Sequence, residues 1–400
     1  MSRPLRAVPV LLVLVVVLAA LAAAPALACT SAIIAPAGAA DGAPLLWKNR
    51  DAAERSNRLV YVGDAPLAYV GLVNRGDRAG RLVYAGLNAA GLAVMNTVAY
   101  NLPAPGADDM HDLEGVIMAD ALRTCRTVGE FEALLRSRVG PELGSQANFG
   151  VIDAAGGAAV FEVHNGGVVR RDVTGEPRSC AVVTNFARGG EEGKGAGYLR
   201  FARAGELFAS LGDARVTAGD LLGFARDTGH VLLRDLDAAT VAATPAATPL
   251  WISTRDCINR SSTTAAVVVA GRRPGATWPP ATLWIVPGEP VAAVAIPVWV
   301  EAGAAPAPLW AGEEAPLWVE SQRIRLLARP HPESDGADYL QLTVLDNADG
   351  TGFRPALRRV EQEIRRETAE FLARARTPAE LAAFQGRMAE RALAAMKAVR

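Results

Sequence analysis

Cys29 is the residue of this 400-residue chain that is best placed to act as a nucleophile. It follows a segment that ends in Ala26-Leu27-Ala28, the small-residue pattern at which secretory signal peptides are cut. Cleavage before Cys29 leaves a thiol and a free α-amino group on one residue. An α-amine titrates near pH 8, so it can accept the thiol proton, and Cys29 then supplies both nucleophile and base.

The segment before Cys29 predicts export. Two arginines precede an unbroken apolar run over residues 10–24, the arrangement of a signal peptide spanning residues 1–28. An uncleaved anchor is one alternative, since the run approaches the roughly 18 residues of a membrane span. A lipoprotein with acylated Cys29 is another, although such signals prefer a Leu-like residue where Ala26 stands. The prediction is a secreted or periplasmic protein without stable membrane insertion.

The run Lys48-Asn49-Arg50-Asp51 is predicted to lie beside Cys29. Two short apolar runs, 31–35 and 44–48, resemble the strands of a hairpin, with Asp41-Gly42 in the turn. Antiparallel pairing about residue 40 would place Asp51 opposite Cys29. A carboxylate there can hold the α-ammonium group, and a cation from Lys48 or Arg50 can favour the thiolate.

Composition excludes several classes of function. A formal net charge of −1 provides no basic surface of the kind that binds nucleic acid. With 50% hydrophobic and 21% charged residues, the chain is not largely disordered. The sequence has no Cys-x-x-Cys, no His-Glu-x-x-His and no Gly-x-Ser-x-Gly, so neither a metal nor a cofactor is expected, and a serine hydrolase is disfavoured. Three further cysteines, expected in the core or in a disulfide, are Cys125, Cys180 and Cys257.

Strands occur in groups, then helices, then strands again, which predicts an α+β layered fold with mostly antiparallel sheets. The Pro-rich stretch 302–316 is predicted to be a loop, and the tail from residue 355 to be helical. The predicted helices are Leu113–Arg126, Val128–Arg138, about 197–211 and about 217–227. The predicted strands are Ser31–Ala35, Pro44–Lys48, Arg58–Val62, Arg81–Ala85, Leu92–Thr97, Asn148–Ile152, Ala158–Val163, Ala181–Asn185, Thr264–Ala270, Ala281–Val286 and Val291–Val298.

Taken in order, these motifs resemble the N-terminal-nucleophile (Ntn) cysteine hydrolases. This superfamily includes choloylglycine hydrolases, penicillin V acylases, acid-ceramidase-type amidases, isopenicillin-N acyltransferase-type enzymes and a family of dipeptidases. Lys48 stands where the family commonly has Arg. The acyltransferase-type branch fits best overall. The matching segments are Cys29-Thr30-Ser31, Asp41-Gly42, Lys48-Asn49-Arg50-Asp51, Gly86–Leu92, Asn96, Val183-Thr184-Asn185, Leu199-Arg200-Phe201, the strand 263–270 and Trp284–Gly288.

The resemblance implies a four-layer αββα sandwich over residues 29–353, followed by a C-terminal helical segment, 354–400. It implies that Cys29 is the nucleophile and that Asn96 is an oxyanion-hole residue. A further active-site amide is implied at Asn185, and an active-site guanidinium at Arg200.

The implied reaction is cleavage of a linear amide in a small molecule or small peptide, through a thioester on Cys29. Water as acceptor gives hydrolysis, and a second amine gives acyl transfer. Asp51 is expected to orient the α-amine, and Lys48 or Arg50 to supply charge near the substrate. Two alternatives stay open: a lipid-anchored binding protein of the same fold, and a peptidase of the dipeptidase branch.

Overall fold

The structure is a computed structural model that describes residues 29–104, 113–140, 143–332 and 336–400. The predicted leader, residues 1–28, lies outside the described residues. Within these ranges, no helix combines the length and the apolar character that crossing a bilayer requires.

Cys29 immediately precedes β1 (Thr30–Ile34), a strand of a six-stranded antiparallel sheet called sheet 1. In spatial order, sheet 1 consists of β10 (Cys180–Val183), β1 (Thr30–Ile34), β2 (Leu45–Asp51), β12 (Thr263–Ala270), β13 (Thr282–Pro287) and β14 (Ile296–Val298). Its two central strands, β2 and β12, contain two of the motif-bearing segments.

A seven-stranded antiparallel sheet, called sheet 2, follows the order of the chain. It is a meander in which each strand pairs with the next. Its strands are β3 (Asn57–Val62), β4 (Tyr69–Asn74), β5 (Ala85–Asn88), β6 (Ala93–Val98), β7 (Gln146–Ile152), β8 (Ala158–His164) and β9 (Gly167–Asp172). A separate two-stranded pair joins β11 (Trp251–Ser253) to β15 (Tyr339–Gln341).

The helices cover the outer faces of the two sheets. The first two pack on sheet 2 and the next two on sheet 1. The described helices are α1 (Glu114–Thr124), α2 (Val128–Arg138), α3 (Tyr198–Ser210), α4 (Ala218–Phe224), α5 (Ala238–Ala243), α6 (Pro316–Ala328), α7 (Leu342–Leu345), α8 (Arg354–Leu372) and α9 (Pro378–Lys397).

The two sheets face each other across a closely packed apolar layer. Ile33 of β1 lies against Gly150 of β7, where an added Cβ would come within 2.6 Å of the Ile33 Cδ1 atom and 2.3 Å of the Met95 Cε atom. A glycine at this position lets the sheets approach. Helix, sheet, sheet and helix therefore form four layers, and the predicted α+β class with mostly antiparallel sheets is confirmed.

The last two helices belong to the same hydrophobic core as sheet 1. Leu357 and Ile364 of α8 are buried in this core, as are Phe384 and Met388 of α9. Trp299, which follows β14, is fully buried with its ring 6.0 Å from the Phe384 ring. The C-terminal helices thus cover the far edge of sheet 1.

Four local features differ from the predictions. Residues 81–84 are not a strand, since β5 begins at Ala85, and the strand β4 was missed. The predicted strand 291–298 is reduced to Ile296–Val298, because Pro290 starts a short 3₁₀ turn. The hairpin register is also shifted: Thr30 pairs with Asn49, so Arg50, not Asp51, would be opposite Cys29.

Candidate active site

The backbone of Cys29 is held by a buried arginine. Arg200 of α3 donates from Nη1 to the Cys29 carbonyl oxygen at 2.6 Å and to Thr30 Oγ1 at 2.8 Å. The half-buried Cys29 thiol lies 3.9 Å from the backbone oxygen of Asp51. The start of β1 is therefore fixed against the end of β2, although residue 29 itself lies outside the strand.

Strand β2 sends its polar side chains to two different sides of sheet 1. Because side chains alternate along a strand, Lys48 and Arg50 point one way and Asn49 and Asp51 the other. Lys48 reaches across to sheet 2, whereas Asn49 donates to the Ala225 carbonyl oxygen beside α4. The run 48–51 thus provides two cations between the sheets and an amide and a carboxylate outside them.

Lys48 is a buried cation in contact with sheet 2. Its Nζ donates to Asn96 Oδ1 at 2.7 Å and to the Tyr84 carbonyl oxygen at 2.8 Å. Burial lowers the pKa of Lys48 to about 8, and the positive charge of Arg50 acts in the same direction, while the charge of Cys29 opposes both. The contribution of Cys29 to this shift shows that the Lys48 ammonium group lies within electrostatic reach of residue 29.

Asn96 is oriented by Lys48. Its carboxamide oxygen accepts a hydrogen bond from Lys48. The other polar atom of the carboxamide must then be the NH₂ nitrogen, which is a donor. Asn96 lies on β6 and is 8% exposed, and within the described ranges its Nδ2 donates to no protein acceptor. This side chain therefore offers a donor in the same inter-sheet layer as Lys48, as an oxyanion hole requires.

Arg50 is the second cation between the sheets. Its guanidinium group lies 3.8 Å from the centre of the Tyr84 ring, donates to Asn74 Oδ1 at 2.7 Å and also bonds Asn57 Oδ1. Burial lowers the pKa of Arg50, and the charges of Tyr84 and Cys29 oppose that shift. These neutral partners leave its positive charge available to a substrate or to the thiolate.

Asp51 is buried on the opposite side of sheet 1. Its carboxylate accepts from Thr263 Oγ1 at 2.6 Å and lies 3.4 Å from Arg260 Nη1. Burial raises the pKa of Asp51, while Arg260 and Arg200 oppose that shift. Asp51 is therefore close to Cys29, as expected, but through its backbone oxygen. Its carboxylate is bonded to Thr263 of β12 instead.

Asn185 and Arg200 form one hydrogen-bonded unit. Arg200 Nη2 donates to Asn185 Oδ1 at 2.9 Å, and Asn185 Nδ2 donates to the Val98 carbonyl oxygen at 2.9 Å. Gly197 at the N-cap of α3, with φ of 85°, admits the guanidinium group, because a Cβ there would lie 2.5 Å from Arg200 Nη2. Burial lowers the pKa of Arg200 to about 10, and Asp51 opposes this. The unit links both sheets to Cys29.

Two site residues were missed by sequence reasoning. Thr263 and Arg260 hold the Asp51 carboxylate from more than 200 positions away along the chain. Thr263 lies at the first position of β12, a segment whose resemblance to the family was noted without a role for this residue. The sequence around Thr263 and Arg260 does not indicate that either residue binds a carboxylate.

The other three cysteines differ from Cys29 in their surroundings, and each has a free thiol. Burial raises the pKa of Cys180 and of Cys257 to about 12, and it also raises the pKa of Cys125. These thiols are therefore poor nucleophiles. Across the described ranges, no group of three His, Cys, Asp or Glu side chains is arranged to hold a metal ion.

Comparisons with known proteins find similar solved structures, all at low sequence identity. No family model matches the sequence, and no curated protein matches it. The chain is similar to an N-acylethanolamine-hydrolyzing acid amidase ortholog from Caenorhabditis elegans, with 14% identity and a TM-score of 0.43 over 62% of this chain and 94% of that chain.

Two further solved structures match with lower TM-scores. Penicillin V acylase from Agrobacterium tumefaciens has 15% identity and a TM-score of 0.39, over 68% of this chain and 85% of that chain. A variant of conjugated bile acid hydrolase from Clostridium perfringens has 12% identity and a TM-score of 0.37, over 65% and 89%. At these values the activity of this chain has to be inferred from its own site.

The Lys48 ammonium group is expected to control the reactivity of Cys29. Lys48→Gln removes the cation and should slow alkylation of Cys29 by iodoacetamide about tenfold at pH 7. Since the pKa of Lys48 is about 8, the two proteins should converge as the pH rises above 8. The rate is measured by mass spectrometry of the Cys29 peptide between pH 6 and 10.

Lys48→Arg is the matched control, because a guanidinium group keeps its charge over this range. Its alkylation rate should stay above that of Lys48→Gln at every pH. Equal rates for Lys48→Gln and the unmodified protein at pH 7 would show that this cation does not act on the thiol.

Asp51 is expected to lower the stability of the protein at neutral pH. Its pKa is raised by burial, so the folded state favours the protonated form, and the stabilising contribution is complete at low pH and is lost as pH rises through the raised value. Asp51→Asn removes that dependence. Urea unfolding at pH 4 to 7.5 should show the unmodified protein gaining stability relative to Asp51→Asn as pH falls.

Asp213→Asn, at an exposed position, is the control and should show no such difference. At pH 7, Asp51→Asn should unfold within about 1 kcal/mol of the unmodified protein, since Asn still accepts from Thr263. A loss well above about 2 kcal/mol would mean that the ionised carboxylate stabilises the fold.

Proposed function

We propose that this chain is an exported Ntn cysteine amidohydrolase that cleaves a linear amide through a thioester on Cys29. The observation that carries the proposal is the arrangement around the Cys29 thiol. A buried Lys48 ammonium group, electrostatically coupled to the thiol, also fixes the Asn96 carboxamide with its donor end free of protein acceptors in the described ranges. Nucleophile, cation and oxyanion donor then belong to one inter-sheet layer.

Acylation begins once residues 1–28 are removed. The Cys29 α-amine takes the thiol proton, and Sγ attacks the carbonyl carbon of the substrate while the carbonyl π electrons move to oxygen. Asn96 Nδ2 donates to that oxyanion, an interaction worth about 3–4 kcal/mol when one such donor is lost. The C–N bond then breaks, and the α-ammonium group gives its proton to the leaving amine.

Deacylation repeats the proton transfer with water. The α-amine takes a proton from water, the hydroxide attacks the thioester carbonyl, and the C–S bond breaks to release the carboxylic acid and the thiolate. A second amine in place of water would give acyl transfer. A dilute extracytoplasmic setting, secreted or periplasmic, favours water as the acceptor.

The remaining predicted residues position Cys29. Arg200 holds the Cys29 carbonyl oxygen, and Asn185 holds Arg200 in turn. Asp51 positions Cys29 through its backbone oxygen, 3.9 Å from the thiol. Its carboxylate fixes the end of β2 to Thr263 and Arg260. Arg50 lies between the sheets with a positive charge to offer to an anionic part of the substrate.

Cys29 substitutions provide the direct test of the nucleophile. Cys29→Ala should abolish cleavage across a panel of acyl-p-nitroanilides and dipeptides, and Cys29→Ser should be slow because a hydroxyl gives up its proton less readily than a thiol. Cys180→Ala is the control and should retain activity, since Cys180 is not placed at the site. Turnover by Cys29→Ala comparable to that of the unmodified protein would assign the nucleophile to another residue.

Release of the Cys29 α-amine is expected to switch activity on. Protein beginning at Cys29 should be active, and protein retaining one Met before Cys29 should have lost nearly all activity, because the added peptide bond removes the base. Intact-mass and activity measurements on the same samples check this. Full activity with Met retained would contradict an N-terminal base, and a diacylglyceryl mass on Cys29 of the exported protein would indicate a lipid-anchored binding protein instead.

A further inference from the structure

A cluster of arginines lies on the outer side of sheet 1, where α8 packs over α4. The cluster surrounds a cavity of about 170 Å³, which we call the arginine pocket. Arg226 comes from the segment after α4, and Arg354, Arg358 and Arg365 come from α8. A neighbouring cavity of about 260 Å³ shares three of these arginines, so the pocket has room on one side.

The arginines of α8 form one stripe of the helix. Arg354, Arg358, Glu361 and Arg365 are spaced by four, three and four residues, which places them on the same face. That face is directed at α4, where Gly219 leaves space. A Cβ at Gly219 would lie 1.7 Å from Arg365 Nη2, so the glycine permits the guanidinium group to lie over α4.

The positive charges of the arginine pocket exceed the negative ones. Glu361 is its one lining carboxylate, and it is already bonded to Arg226 and accepts from the Ala295 backbone N–H at 2.7 Å. In the described part of the chain, Arg354, Arg358 and Arg365 form no ion pair. The lining of the arginine pocket thus has four cations and one anion, while Asp227, Asp237 and Asp346 line the neighbouring cavity.

Arg354 shows the effect of this imbalance. Its guanidinium group makes only long contacts to backbone oxygens, 3.5 Å to Pro290 and 3.4 Å to Val291, and Arg226 Nε donates to the same Pro290 oxygen at 3.1 Å. Burial lowers the pKa of Arg354 to about 9, and the nearby Arg226 charge lowers it further. Convergent guanidinium groups that share one weak acceptor match a site built for an anion.

We propose that the arginine pocket binds a multivalent oxyanion of the phosphate type. Planar guanidinium groups bind such oxygens in pairs, and the anion would offset the repulsion among Arg354, Arg358 and Arg365. Binding would fasten α8 to α4. The carbonyl oxygen of Ala225, next to α4, holds Asn49 of β2, so the same anion supports the strand that carries Lys48.

Inorganic phosphate is the first probe, with acetate at equal ionic strength as the monovalent comparison. Thermal unfolding and titration calorimetry of the protein should give a saturable increase in melting temperature and heat of binding with phosphate and neither with acetate. Glycerol phosphate is added as a second probe. Binding of both phosphates would indicate that esters are accepted through the neighbouring cavity, and binding of inorganic phosphate alone would indicate the free ion.

Arg358→Gln/Arg365→Gln should weaken phosphate binding at least tenfold. Without phosphate, this variant should melt at the same or a higher temperature than the unmodified protein, since like charges have been removed. Arg359→Gln/Arg366→Gln is the matched control on α8, because neither residue lines the pocket, and it should bind phosphate normally. Absence of saturable phosphate binding, or equal weakening in both double variants, would overturn the proposal.

Discussion

The hydrogen bond between Lys48 Nζ and Asn96 Oδ1 is the contact on which the proposed chemistry depends. It joins the centre of sheet 1 to the centre of sheet 2 at 2.7 Å, from the position of β2 that pairs with Ser31 of β1. Burying an ammonium group is costly unless its protons are bonded, and here the Tyr84 carbonyl oxygen takes another of them. The close packing of the sheets is what brings these groups within reach, since Ile33 and Gly150 meet in the same layer.

Buried ionisable side chains lie on both sides of β2. Burial lowers the pKa of Lys48 and Arg200 and raises that of Asp51, so the folded protein disfavours the charged form of each group relative to water. Such an arrangement is stable only because the surrounding strands supply bonding partners, among them Thr263 for the carboxylate and Asn185 for the guanidinium group. Perturbed groups of this kind are characteristic of functional sites, although structural ion pairs also produce them.

Local features of the fold were predictable from the sequence, and contacts between distant segments were not. Helix α2 has the predicted bounds, Val128–Arg138, because Thr127 caps it and its apolar residues repeat at helical spacing. The register of β1 and β2 was predicted one residue away from the observed one, since a 3₁₀ turn at Pro36–Gly38 lengthens the connection and a long loop does not fix register. That single shift exchanges the positions of Arg50 and Asp51 relative to Cys29. The contacts of Lys48 with Asn96 and of Asp51 with Thr263 depend on how the strands pair and pack, which no local pattern contains.

The two backbone groups of Cys29 have different roles in the proposed mechanism: its carbonyl group is anchored, and its α-amine is the proposed base. Its carbonyl side is held by Arg200, and its neighbour Thr30 is held by the same guanidinium group, so the position of the thiol is determined from the residues that follow it. An N-terminal base gains and loses a proton in each half-reaction. If the same group also anchored β1, each change of its charge would disturb the position of the strand. Because Arg200 anchors the carbonyl side, the α-amine proposed as the base would not have to hold the strand. The position of Arg200 on α3, outside sheet 1, is therefore compatible with the chemistry proposed for the other end of the same residue.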